Sequence, residues 1–196
     1  MRILFLSNYY PPYSRGGYEQ WCQEVAIELV RRGHQVAVLT SRTPDYLEID
    51  DQGVQVYRML NLEVDGGLSE TVIRLLKNRK RLEQENLEYV QAIHKDFNPD
   101  MAMMWGMWNV PRSVPALVEK LLPSNHVFYY VCDYWLSLPN AYIQRWQISS
   151  RQTLTQLPKW LLGQYFLPRL SQETPIPLRL ERPICVSQRV RALLVE

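Results

Sequence analysis

Arg2-Ile3-Leu4-Phe5-Leu6-Ser7, the loop Asn8-Tyr9-Tyr10-Pro11-Pro12-Tyr13-Ser14-Arg15-Gly16-Gly17, an amphipathic run from Tyr18 to Arg32, Gly33, and then Gln35-Val36-Ala37-Val38-Leu39-Thr40 open the chain. The first six residues are a short apolar run stopped by Asn8 and a proline-rich loop, the pattern of a buried strand and its exit. From Tyr18 the apolar positions Tyr18, Trp21, Cys22, Val25, Ala26, Leu29 and Val30 recur at helical spacing, with Glu19, Gln23, Glu24 and Glu28 expected on the other side. Arg31 and Arg32 complement the negative end of the helix dipole, and Gly33 supplies a left-handed cap before the next apolar run. Strand, helix and strand in this order form a right-handed crossover and hence a parallel pair.

The same alternation continues. Val54 to Leu60 is predicted as a third strand and Glu70 to Phe97 as a charged helix that turns apolar at Leu87, Val90, Ile93 and Phe97. Asn98-Pro99-Asp100 stops it. Met101 to Trp105 predicts strand four, Val110 to Leu122 a helix, and His126 to Cys132 strand five, rich in β-branched and aromatic residues. Pro183 to Val186 offers a sixth strand and Gln188 to Val195 a closing helix. Between Leu136 and Glu181 the rhythm breaks, and the composition predicts two short helices and a connector holding Pro168, Pro175 and Pro177. The expected fold is α/β, a doubly wound, mostly parallel sheet with helices on both faces, built as a single domain over residues 1–196.

Composition narrows the function. The 196 residues are 46% hydrophobic and 21% charged, the profile of one ordinary globular core. Twenty-two Lys and Arg against twenty Asp and Glu leave +2, too weak a field for a nucleic-acid partner. Three widely spaced cysteines, Cys22, Cys132 and Cys185, make neither a disulfide framework nor a zinc site. The reading expects a reducing, cytoplasmic setting with no bound metal. The first loop has no G-x-G-x-x-G and no G-K-[ST], so the signatures of dinucleotide and nucleotide-triphosphate binding are absent.

Ligands of open parallel sheets bind at the carboxyl ends of the strands, which directs attention to the loops after strands one, four and five. Gly16 and Gly17 precede the first helix, where bare amides suit a phosphate or a sugar hydroxyl, or where the pair simply closes the turn. Asp133 after strand five is either a hydroxyl acceptor or a turn former. Trp105 and Trp108 with Asn109 sit at the exit of strand four, as packing or as a stacking and acceptor contact. Arg74, Lys77, Arg79, Lys80 and Arg81, together with the apolar segment Trp160 to Leu167, are either a solvated face and a core helix or a surface for an anionic membrane.

Tyr10-Pro11-Pro12, Gly16-Gly17, Glu19, Gly33-His34-Gln35-Val36, Pro99-Asp100 and Val186-Ser187 resemble, in order, the marks of family 4 glycosyltransferases of the GT-B fold. That resemblance implies a Rossmann-like N-terminal domain that contributes the acceptor side of a cleft. The whole enzyme would be a retaining, metal-free sugar transferase, with a nucleotide-sugar as donor substrate rather than cofactor and a glycan or lipid-linked acceptor. It implies Asp133 as the catalytic-site residue, with Gly16, Gly17, Trp105, Asn109, Cys132 and Ser187 as substrate contacts. Cys132 stands where the family carries His. The donor-binding C-terminal half is expected to be absent from this chain, which by itself is expected to be inactive, with peripheral contact at the inner face of the membrane as a further expectation. The competing readings are a noncatalytic glycan or lipid head-group binding module and a fragment of a GT-B nucleotide-sugar epimerase.

Overall fold

The computed structural model describes residues 1–43, 48–64, 66–148 and 153–192. Its strands are β1 (Arg2–Leu6), β2 (Gln35–Ser41), β3 (Glu48–Asp51), β4 (Val54–Leu60), β5 (Met101–Met104), β6 (Val127–Val131) and β7 (Pro183–Cys185). They form one sheet in the order β3-β4-β2-β1-β5-β6-β7. Six strands run parallel, and β3 is antiparallel to β4 at one edge. Taken alone, the parallel strands follow the doubly wound 3-2-1-4-5-6 order, which reverses direction between β1 and β5. The expected fold class holds.

Side chains alternate across this sheet because strand residues point to opposite faces. Leu4, Leu6, Ala37 and Leu39 join one core with Val90 and Ile93 of α3 (Arg79–Phe97) and Val114 and Val118 of α4 (Ser113–Leu121). Ile3, Phe5, Val36 and Val38 face the other way, onto Cys22, Ala26 and Ile27 of α1 (Gly17–Arg31). Fully burying one such aliphatic side chain contributes about 1.5–3 kcal/mol. A third, smaller cluster of Tyr142, Trp146, Phe166 and Leu170 joins α5 (Ala141–Gln147) to α6 (Thr153–Ser171) and to Leu68 and Val72 of α2 (Leu68–Ile73).

Several boundaries differ from the sequence reading. The hairpin of β3 and β4 is an added edge, and its turn, Gln52-Gly53, has both residues at positive φ (54° and 90°), as a two-residue primed turn requires. The long charged helix begins as α2, passes through one π turn over Arg74–Asn78, and continues as α3. The helix expected from Val110 starts later, at Ser113, because Asn109 is held at φ 68° and Pro111 follows it. Of the two short helices expected between Leu136 and Glu181, α5 is short, whereas α6 runs 19 residues and includes Pro158 and Pro168. Neither proline can donate the backbone bond one turn back. The closing helix α7 is Gln188–Ala192, and the part of the expected helix beyond it lies outside the described residues.

Candidate functional site at the strand reversal

The strand order reverses between β1 and β5, and the carboxyl edge at such a reversal is the position at which doubly wound folds bind ligands. Asn8, the first residue past β1 and its exit Ser7, is the knot of this edge. Its amide donates to the Gly106 carbonyl (2.6 Å), its carbonyl accepts from Ser41 (3.3 Å), and its Nδ2 donates to the Trp108 carbonyl (3.1 Å). Its Oδ1 accepts from the Tyr18 hydroxyl at 2.5 Å and from the Tyr9 amide at 2.9 Å. One carboxamide therefore ties β1 and the β5 exit to the first turn of α1. A Cβ at Gly106 would fall inside the Tyr18 phenol, so any side chain there must displace that ring.

At the head of α1 the glycine pair divides its work. The Gly16 amide donates to Glu19 Oε2 at 2.8 Å, one half of a capping box that the spacing Gly16-x-x-Glu19 signals. Glu19 is consequently buried rather than on the solvent side expected for it, and Trp21, read as core, is half exposed instead. Gly17 is exposed and nothing lies within 4 Å of the place a Cβ would occupy. The Gly16 amide is thus engaged by the chain's own carboxylate, while the space above Gly17 is open.

Cys132 and Asp133 leave β6 on the same side: both act electrostatically on Tyr18, as does Glu19. Burial first, then these negative neighbours, raise the Tyr18 hydroxyl far above its ordinary range. Burial and then Asp133 push the Cys132 thiol up to about 11, so it is a neutral thiol at physiological pH and no nucleophile. Burial raises Asp133 as well, partly offset by the Trp135 amide, which donates to its Oδ1 at 3.2 Å. Asn8, Tyr18, Cys132 and Asp133 thus lie near one another at this edge, where the Asp133 carboxylate is able to accept a hydrogen bond from a hydroxyl.

The other anticipated contacts are engaged by packing or hydrogen bonds within the fold. Trp105, 3% exposed, is packed between Phe5 (5.5 Å between ring centroids) and Tyr130 (4.5 Å). Asn109 is buried, and its carboxamide accepts from the Val64 amide (2.7 Å) and donates to the Val64 carbonyl (2.6 Å). Ser187 Oγ caps α7 by accepting from the Val190 amide at 3.2 Å. No group of three or more His, Cys, Asp or Glu able to hold a metal ion occurs among the described residues.

A cavity of about 760 Å³ opens beside this site, between the exits of β4 and β6 and the helices α3, α5 and α6. Sequence reasoning missed it, since its walls come from segments up to 115 residues apart, Asn61 to Ile176. Buried Asn86 of α3 holds its rim by accepting from the Asn61 amide (2.7 Å) and donating to the Asn61 carbonyl (2.9 Å). Asn109 does the same three residues on, at Val64, so the intervening Glu63 is presented on a fixed backbone.

No family model matches this chain, and no curated protein matches it. Among solved structures it is similar to sucrose-phosphate synthase (tll1590) from Thermosynechococcus elongatus, at 11% sequence identity and a TM-score of 0.49. The match covers 94% of this chain and 47% of that one, so this chain spans about half the length of that protein.

Proposed function

We infer that this chain forms the acceptor side of a sugar-transfer cleft, the donor nucleotide-sugar being held by a second domain. The observation that supports it most is exposed Gly17 at the head of α1, open where a Cβ would sit, with Asp133 acting electrostatically on the adjoining Tyr18 at the strand reversal. A hydroxyl-rich ligand fits that edge, and it agrees with the ordered motifs from Pro11-Pro12 to Val186-Ser187. In this reading Asp133 accepts a hydrogen bond from a sugar hydroxyl, and Cys132 contributes shape rather than a proton. Transfer proceeds with retention and needs no metal, so chelator leaves turnover unchanged. The test is sugar transfer by the polypeptide that the native gene encodes: Gly17→Trp and Asp133→Asn should each abolish or strongly reduce turnover while the fold is kept. Full turnover in both would remove this edge from the site.

A specific observation favours a lipid-linked acceptor handled at the cytoplasmic membrane face. On α6, Leu157, Trp160, Leu161 and Tyr165 share one face and are 66%, 58%, 56% and 50% exposed. From Tyr134 to Gln172 the sequence holds no Asp or Glu and four cations, Arg145, Arg151, Lys159 and Arg169. Apolar and aromatic residues flanked by cations suit an anionic interface, and no helix among the described residues is long and apolar enough to cross a membrane. Sedimentation with phosphatidylglycerol-containing vesicles, weakened by salt and lost in Trp160→Glu/Leu161→Glu, is the expected result; no sedimentation of the native chain would refute it.

A further inference from the structure

We propose that the cavity between the β4 and β6 exits and the helical cluster is a binding site for a ligand carrying a single protonated amine, such as an amino sugar. Its charged lining consists of three carboxylates, Glu63, Glu83 and Glu173, and two guanidinium groups, Arg79 and Arg112. The site is therefore one positive charge short of neutrality, in a chain whose formal charge is +2.

The two cations are already engaged. Arg79 grips Glu173 through both terminal nitrogens (2.5 and 2.7 Å) and lies over the Tyr142 ring at 5.2 Å. Arg112 donates to the Leu136 carbonyl at 2.7 Å and lies over Trp135 at 6.0 Å. Glu63 is the unsatisfied member. It is 9% exposed, its Oε2 accepts from the Ala141 amide at 2.8 Å, and among the described residues its Oε1 has neither a hydrogen-bond donor nor an ion pair. Its Oε1 is not buried without a partner but keeps access to the cavity, where a cation can reach it. Burial raises the proton affinity of Glu63, the Ala141 amide and the positive charge of Arg79 offset part of this, and the negative charges of Glu83 and Glu173 add to it. A ligand ammonium reaching Oε1 would replace that proton with a charged hydrogen bond, while Leu82 and Leu138 offer the body of a ring aliphatic walls.

The clamps described above make the site rigid: Asn86 and Asn109 fix the backbone on both sides of Glu63. A preorganised carboxylate loses less freedom when it binds. Assigning this ligand as the acceptor of the transfer reaction rests on the proposed function; the binding itself does not.

Glucosamine and glucose, which differ by one amine for one hydroxyl, are the probes, and the amide resonance of Ala141, bonded to Glu63, is the readout by NMR titration of this chain. Glucosamine should shift that resonance saturably and bind about tenfold or more tighter than glucose, the advantage of a charged hydrogen bond over a neutral one. Glu63→Gln keeps an acceptor for the Ala141 amide and should bring the two sugars within about twofold, through loss of that same charged bond. Glu83→Gln, at a side chain with no hydrogen-bond partner among the described residues, should lower glucosamine affinity with the fold intact. Equal binding of the two sugars, an unmoved Ala141 resonance, or an undiminished amine preference in Glu63→Gln would each overturn the proposal. If the complete enzyme transfers sugar only to amine-free acceptors, the proposed function stands and the cavity's assignment as the acceptor site fails. If the amine binds and the complete protein transfers no sugar, the binding site stands and the proposed function fails.

Discussion

At Gly17 an added methyl group meets no atom within 4 Å, and the residue occupies the first position of α1. Alanine there should leave the fold unstrained and raise stability by up to about 1 kcal/mol through the unfolded state. Thermal melts of Gly17→Ala check this, and a clear loss would mean the backbone there is more constrained than it looks. Gly106 behaves oppositely, since any Cβ collides with Tyr18. Gly106→Ala should expel the phenol from Asn8, which near-ultraviolet circular dichroism reads directly, and cost about 1–3 kcal/mol by overpacking. The sequence shows Gly16-Gly17 as a loop entering a helix, and Glu19 three residues on is a capping signal that the helical stripe obscures. Asn8, by contrast, reads only as the end of a strand, because its partners Gly106 and Trp108 are about a hundred residues distant.

Among elements, the connection from β4 to α2 is held by side chains in place of a sheet ladder. Asn86 on α3 satisfies the backbone of Asn61 as a neighbouring strand would. Asn86→Ala leaves a buried amide and carbonyl unmet and should cost about 1–3 kcal/mol, measurable by urea denaturation. Asn86→Asp, which keeps one acceptor but cannot donate, should also destabilise. β1, α1, β2, β4 and β6 are legible because period-2 and period-3.6 patterns differ plainly there. Asn86 is not, since a polar residue amid a charged helix looks solvated until a third element covers it. α6 is obscured for another reason: its buried stripe is narrow, its exposed face is equally apolar, and its prolines mimic a connector.

For the molecule as a whole, Glu63 sets a pH dependence with a definite sign. Its carboxyl titrates above the ordinary value of 4.5 in the folded state, so between those two points the folded chain holds the extra proton. This group's contribution therefore falls as pH rises from 4.5 through the raised value, and remains a constant cost above it. Melting temperatures of the native chain minus those of Glu63→Gln, followed from acid to neutral pH, should decline across that window; a difference that rises or stays flat contradicts the assignment. The doubly wound order is legible from the strand and helix alternation alone. The cavity is not, because its walls come from five separate stretches, 61–63, 79–83, 111–112, 136–147 and 170–176, that meet only in the folded chain.

Arg58, on β4 two strands from β1, is almost completely buried, and donates to the carbonyls of Tyr10 (3.0 Å) and Pro11 (2.5 Å) with the Tyr10 and Tyr13 rings beside it. A fixed cation under the first loop makes that loop the roof of β4 as much as the exit of β1. Whatever guest settles over Gly17 presses on a beam anchored at the far side of the sheet, and lysine, with a single point of charge, would leave that beam held at one end.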